Sequence, residues 1–309
     1  MTRARALGWS GTLLAAALAA APAQVLAESA SCLPPEFSLR VKFATPEELA
    51  AGLAAITQPK RDAGKREALA GQLGEAGCEL EEQGASKLRE PNLVCRVPGK
   101  RRATIVVGSS PGFDGWPAAA LLPALARAVA AAPREHSYEF AAFARSVPQH
   151  PSGARHFARS LGDDVRAALY VHIGVAGLAP PIVGPGASTR QHCVIETVAR
   201  AIGVRLSSAS SWNELELPCS SQSGLHAGSD FDESCGEAGY RRLLDVSAFA
   251  DAEIPFIGVY GMRERSPFPQ ISQNAERFDA AAYVRSYRLL AAYLVAIDAA
   301  LMDPVQAPE

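Results

Sequence analysis

The sequence has no excess of basic residues, since 30 Lys and Arg stand against 32 Asp and Glu and the formal net charge is −2. Proteins that bind nucleic acid or anionic membranes through charge present basic surfaces instead. Loss of an N-terminal leader over residues 1–27 would remove two arginines and no acid, which moves the charge from −2 to −4. The charge balance therefore argues against nucleic acid as a partner.

Beyond its N-terminus the sequence has no long apolar run, so we expect no membrane span in the remainder of the chain. The N-terminus has the three parts of a secretory signal peptide: Arg3 and Arg5, an apolar stretch over residues 7–21, and small residues before Glu28. The apolar stretch is shorter than the roughly 20 residues of a spanning helix. We predict a signal peptide over residues 1–27 and an exported protein, periplasmic or secreted.

No two of the six cysteines have CxxC spacing, which argues against a zinc–thiolate site and a redox motif. An even number of cysteines in an exported protein favours disulfides, although many pairings are open. Cys78–Cys95 is predicted because both residues lie on predicted neighbouring strands. Cys219–Cys235 would close a local loop, and Cys32–Cys193 follows by elimination.

Strands and helices alternate along most of the chain. Continuous apolar runs at 103–107 and 167–173 are typical of strands that are buried on both faces. Helices are predicted over 117–132, where Pro123 is expected to cause a kink, and over 279–302. The alternation predicts an α/β fold with a mostly parallel sheet flanked by helices on both faces.

The residues before this alternation differ in character. Thr45 and Pro46 followed by acidic residues are typical of a helix start, and a second helix is predicted over 59–73. We therefore predict an N-terminal helical segment over 28–89 and an α/β domain over 90–309.

The loop after residue 107 contains Gly-Ser-Ser-Pro-Gly at 108–112, which matches the G-x-S-x-G pattern of serine hydrolases. In those enzymes the residue after the serine donates its backbone N–H to the oxyanion hole. Here that residue is Pro111, which has no N–H. A serine hydrolase with Ser110 as nucleophile is therefore the weakest of the alternatives.

Six segments occur in a characteristic order: N-L-V-C-R-V-P-G-K at 92–100, A-T-I-V-V-G at 103–108, the helix at 118–128, G-A-R-H-F at 153–157, L-D-V-S-A-F at 244–249, and 273–301. Together they resemble the core of the M28 family of zinc-dependent aminopeptidases. The resemblance covers about residues 90–300. It implies a zinc-aminopeptidase-like α/β sandwich of the phosphorylase/hydrolase type.

The resemblance also implies where the zinc ligands and the general base of the family fall in this chain. Asp114 matches the bridging Asp, and His172 stands where the family has another ligating Asp. A catalytic zinc needs about three protein ligands and an open position for water. Residues unsuited to these tasks occupy the other ligand and base positions: Ser110, Gly112, Val147, Pro148 and Pro269.

Asp114 and His172 are candidate relic ligands, but each has a structural alternative. Asp114 could support its loop or cap a helix, and His172 could be a hydrogen-bonded core histidine. Asp245 lies beside the position of a family histidine. With Ser110, these residues are our candidates for the lining of the cleft.

The pattern predicts an exported M28-like pseudoenzyme that has lost zinc-dependent peptidase activity and binds an unidentified peptide, sugar or protein. We assign no catalytic residue and expect no cofactor. The alternative is an active metal-dependent aminopeptidase in which Asp114 and His172, with His150 or His226, form a rearranged zinc site.

Overall fold

A computed structural model describes residues 32–84, 88, 90–111, 115–144, 152–161, 167–211, 245–261 and 278–302. The elements before residue 90 are α1 (Pro46–Thr57), α2 (Asp62–Glu75) and β1 (Glu79–Gln83). The elements that follow are β2 (Asn92–Val97), β3 (Arg101–Ser109), α3 (Trp116–Ala119), α4 (Leu122–Ala130), β4 (His136–Ala142), α5 (Ser152–Ser160), β5 (Ala167–Ile173), β6 (Ile182–Val183), α6 (Thr189–Ala201), β7 (Ser207–Ser208), α7 (Val246–Ala250), β8 (Phe256–Tyr260) and α8 (Ala280–Ala300).

The strands form one mixed sheet in the order β1-β2-β4-β3-β5-β8-β6-β7. Its centre is parallel, because β3 pairs in parallel with β4 and β5, and β5 pairs in parallel with β8. The β6–β7 pair is also parallel, whereas β1–β2, β2–β4 and β6–β8 are antiparallel. Most of the pairings are thus parallel, which confirms the predicted sheet.

The central strand β3 shows why the sheet is covered on both faces. Ile105 and Val107 belong to one apolar cluster and Val106 to the other, and all three are 0% exposed. Successive side chains of a strand point to opposite faces, so each face needs its own layer. Residues of α1–α4, α6 and α8 supply one layer, and residues of α5 and α7 supply the other.

Pro46 and Pro123 both lie in the first turn of a helix, which the sequence predicts for Pro46 but not for Pro123. Pro46 is in the first turn of α1, and Thr45 forms a capping box with Glu48, as the sequence predicts. The single kinked helix predicted over 117–132 is wrong, since the structure has two helices, α3 and α4. Pro123 lies in the first turn of α4, where its missing N–H breaks no helical hydrogen bond.

Both cysteine pairs that lie within the described residues are confirmed. Cys78–Cys95 links the start of β1 to β2, and Cys32–Cys193 links the N-terminal segment to α6, with Cα–Cα distances of 5.4 and 6.0 Å. The predicted Cys219–Cys235 pair lies outside the described residues. The N-terminal helices are therefore covalently tied to the sheet, and their apolar side chains share its core.

The predicted signal peptide over residues 1–27 also lies outside the described residues. In the part of the chain that the structure describes, no helix is long and apolar enough to cross a membrane.

A buried carboxylate fixes α8 to the start of β4. Asp298 accepts hydrogen bonds from the backbone N–H groups of Glu135 and His136, at 2.8 and 2.9 Å, and lies 2.9 Å from Nδ1 of His136. One turn earlier, the carbonyl of Leu294 accepts from the hydroxyl of Tyr138 at 2.8 Å. Burial, and then the Asp298 carboxylate, raise the pKa of Tyr138 well above its usual value. These contacts set the position of α8 on the sheet.

We expect Asp298→Asn to lower the free energy of unfolding by about 2–4 kcal/mol, because the amide nitrogen would face buried donors. Urea denaturation followed by circular dichroism measures this change. Asp251→Asn is the matched control, since the side chain of Asp251 is 67% exposed and its ion pair with Arg155 is on the surface. A loss no larger than that of the control would contradict the anchoring role of Asp298.

Candidate functional site

The candidate residues that the structure describes lie at or near the carboxyl end of the parallel strands. Ligands of open α/β sheets bind outside this end. Ser110 directly follows β3, His172 is the penultimate residue of β5, and Asp245 precedes α7. All three are buried, with exposures of 8%, 0% and 5%.

His172 is flanked by a glycine on each neighbouring strand. In the parallel registers, Gly108 of β3 and Gly258 of β8 both pair with His172 of β5. Paired residues share a face of the sheet, so the three form a row across its centre. Two of the three positions in this row carry no side chain.

Aromatic rings occupy the space that the two glycines leave. A Cβ on Gly108 would clash with the ring of Phe143 and would lie 3.1 Å from that of Tyr170. A Cβ on Gly258 would lie 2.6 Å from the ring of Tyr260 and 2.7 Å from its hydroxyl. The row is therefore covered by packed side chains.

His172 itself is held between two of these rings. Its Nδ1 lies 3.0 Å from the hydroxyl of Tyr170, and its ring centroid is 5.4 Å from that of Tyr260. Tyr170 in turn stacks on Phe249 of α7 with centroids 3.6 Å apart. This environment is that of a hydrogen-bonded core histidine, and a role for His172 as a metal ligand stays a prediction.

Asp245 is placed on the same face of the sheet as His172. It precedes α7, whose residues Val246 and Phe249 pack in the apolar cluster that contains Tyr170. Its backbone carbonyl accepts from the N–H of Ala248 at 3.0 Å. The structure thus brings Asp245 and His172 to one side of the sheet.

Ser110 lacks the surroundings of a nucleophile elbow. In that motif a helix begins directly after the serine. Here the next helix, α3, begins only at Trp116. Ser110 is also followed by Pro111, so the oxyanion-hole donor that the motif requires is missing.

Several predicted positions lie outside the described residues: Gly112, Asp114, Val147, Pro148, His150, Cys219, His226, Cys235 and Pro269. Within the described ranges, no group of three or more His, Cys, Asp or Glu side chains is arranged to hold a metal ion. Of the zinc positions that the resemblance implies, the structure describes Ser110, whose side chain is a hydroxyl, and His172, which is 0% exposed, so the loss of the zinc site stays a prediction.

Sequence reasoning missed the role of Asn92, which is 0% exposed. Its Oδ1 accepts from the N–H of Ala144 at 2.7 Å, and its Nδ2 donates to the carbonyl of Gly153 at 3.0 Å. A Cβ on Gly153 would lie 2.6 Å from the Ala144 nitrogen, so only glycine fits. Asn92 thereby joins the two described ends that flank residues 145–151.

We expect Gly258→Ala to lower the free energy of unfolding by about 1–3 kcal/mol, because the new methyl group overlaps the buried Tyr260 ring. Thermal and urea denaturation measure this loss. Gly71→Ala in α2 is the control: a Cβ there meets nothing within 4 Å, and the change should stabilise the protein by about 0.5–1 kcal/mol. Equal effects of the two substitutions would show that the glycine row is not tightly packed.

No protein-family model and no curated protein sequence matches this chain. Solved structures do match. The LapA aminopeptidase of Legionella pneumophila has a TM-score of 0.62 and 12% identity over 87% of this chain and 79% of its own. A glutaminyl cyclase of Fimbriiglobus ruber has a TM-score of 0.59 and 14% identity over 87% of this chain and 99% of its own.

A leucine aminopeptidase precursor of Bacteroides thetaiotaomicron has a TM-score of 0.57 and 11% identity, over 84% of this chain and 99% of its own. Identities this low establish the fold and not the activity. The predicted zinc-aminopeptidase-like architecture is thus confirmed: this chain has the α/β fold shared by these aminopeptidases and the glutaminyl cyclase.

Proposed function

We propose that this protein is an exported binding protein with an aminopeptidase-like fold, and that it does not hydrolyse peptides with zinc. The observation that supports this proposal best is the row formed by Gly108, His172 and Gly258. Aromatic side chains fill this part of the sheet, where a catalytic centre would need space for a metal, a water and a substrate.

The chemistry of the aligned positions supports the same conclusion. A hydrolytic zinc site needs several N, O or S ligands and a base that accepts a proton from water. The sequence has no Glu or Asp between residues 140 and 162, where the resemblance places the paired glutamates. Val147 and Pro148 offer neither a metal ligand nor a base.

Export is supported by the disulfides and the N-terminus together. Disulfides persist in oxidising compartments, and two occur in the described residues. The N-terminal 27 residues have the pattern of a cleaved leader.

A peptide is the favoured class of ligand, because the aminopeptidases with this fold act on peptide termini. A sugar or a protein partner is the alternative.

Zinc content tests the proposal directly. We expect purified mature protein, dialysed against buffer with micromolar zinc, to hold less than about 0.1 zinc ion per chain by inductively coupled plasma mass spectrometry. A stoichiometry of about one or two, as hydrolytic sites of this kind hold, would overturn the proposal. An active aminopeptidase of the same fold, treated in parallel, shows that the dialysis preserves bound zinc.

Peptidase activity separates the proposal from the rearranged-site alternative. We expect no zinc-dependent release of the chromophore from aminoacyl arylamides. If release is found and is abolished by Asp114→Ala and His172→Ala together, the alternative is correct. If the double variant retains the release, a contaminating peptidase is its source.

Processing of the N-terminus tests export. We expect mass spectrometry of the periplasmic or secreted protein to show a chain that begins at Glu28, because small residues precede that position. Ala27→Arg should block the cleavage and leave the leader attached. An exported chain that retains residues 1–27 without this substitution would contradict the predicted signal peptide.

A further inference from the structure

A small cavity lies beside Pro111, between the N-terminal helix α2 and the carboxyl end of the sheet. Its volume is about 30 Å³, and its lining includes Asp62 and Arg66 from α2, Glu90, and Trp116 from α3. A buried water needs about 10–15 Å³ on the same scale, so the cavity has room for a planar group of about three non-hydrogen atoms.

Arg66 contributes a charged group with one buried nitrogen, Nη2, that has no hydrogen-bond partner. Glu82 and Glu90 act on the guanidinium through longer-range attraction and form no hydrogen bond with it. Burial is the larger influence and lowers the pKa of Arg66. A guanidinium has five donors, and burial without a partner destabilises the folded protein.

The other charges around the cavity are largely matched with each other. Asp62 Oδ1 accepts from Nε1 of Trp116 at 3.3 Å and lies 3.8 Å from Nζ of Lys65. Lys65 is in addition 5.7 Å from the centre of the Trp116 ring. Asp62 is thus engaged by Trp116 and Lys65, whereas Nη2 of Arg66 has no hydrogen-bond partner and Glu90 is a nearby anion.

We propose that this cavity binds a carboxylate group of the protein's ligand, with Arg66 as the donor. The guanidinium presents paired N–H groups whose geometry matches a carboxylate, and a charged acceptor would offset the cost of burying it. Because Pro111 borders the cavity and directly follows Ser110, the rest of such a ligand would extend along the carboxyl end of the sheet.

This site does not depend on the loss of zinc. The lining residues that the structure describes do not include Ser110 or His172, and zinc content does not report on the occupancy of the cavity. The two proposals therefore fail separately: a zinc-loaded protein could still bind the carboxylate, and a zinc-free one could leave the cavity without an anion.

A matched pair of small molecules tests the charge preference. N-acetylglycine carries the carboxylate, and N-acetylglycinamide has nearly the same shape without the charge. The Nε1–H resonance of Trp116, assigned with Trp116→Phe, reports binding in ¹H–¹⁵N spectra. We expect a saturable shift with N-acetylglycine at a dissociation constant of about 1–10 mM, as suits so few atoms, and binding of the amide at least about tenfold weaker.

Two substitutions at the cavity give opposite expected effects. Arg66→Met should weaken the binding of N-acetylglycine at least about tenfold. Arg61→Met removes the same charge from an exposed position at the start of α2 and should leave the binding of N-acetylglycine unchanged. Glu90→Gln should tighten binding about fivefold, because it removes a nearby negative charge. A melting temperature of Arg66→Met that equals or exceeds that of the unsubstituted protein would show that the arginine is not retained for stability.

Several results would overturn the proposal. These are equal affinity for the acid and the amide, unchanged binding of the acid in Arg66→Met, weaker binding of the acid in Glu90→Gln, and no saturable shift up to about 100 mM of the acid, which is well above the expected dissociation constant. If the unsubstituted protein binds N-acetylglycinamide more tightly than N-acetylglycine and Glu90→Gln abolishes this preference, the cavity binds a neutral hydrogen-bond donor of the ligand and no carboxylate.

Discussion

Burial of the central strands on both faces is the constraint on which the rest of this structure depends. β3 has neighbours on both sides and apolar layers above and below, so its residues from Thr104 to Ser109 are withdrawn from solvent. Polar chemistry is thereby confined to the strand ends and the segments that connect them. The anchoring of α8 by Asp298 and the connection made by Asn92 both lie at such ends.

At the carboxyl end, polar groups fall into two kinds. His172 is enclosed by aromatic rings and bonded to Tyr170, which makes it part of the core. Arg66 is half-buried beside a cavity, and its buried Nη2 has no hydrogen-bond partner. A buried donor without a partner requires an explanation, and a cavity beside it leaves room for a group of a ligand. The carboxylate proposal therefore places ligand binding at Arg66.

The sequence predicted the strands best where burial on both faces leaves a continuous apolar run. β5 begins and ends where the sequence indicates, because its continuous apolar run follows directly from this burial. The break between α3 and α4 was not predictable, since proline is compatible both with a kink and with the first turn of a new helix. The roles of Gly108 and Gly258 depend on the register between strands that are far apart in sequence. The unpartnered Nη2 of Arg66 depends on the tertiary surroundings of α2, and an arginine in a helical pattern gives no such signal.

The Cys32–Cys193 disulfide has a topological consequence. The two cysteines are 161 residues apart, so the bond closes a covalent ring that contains strands β1–β6 and helices α1–α5. A single cut of the backbone inside this ring divides the chain without releasing either part. Both pieces remain joined until the disulfide is reduced, and their local concentrations stay high enough for the sheet to re-form. The protein therefore has a tolerance to backbone cleavage that its noncovalent core alone would not supply.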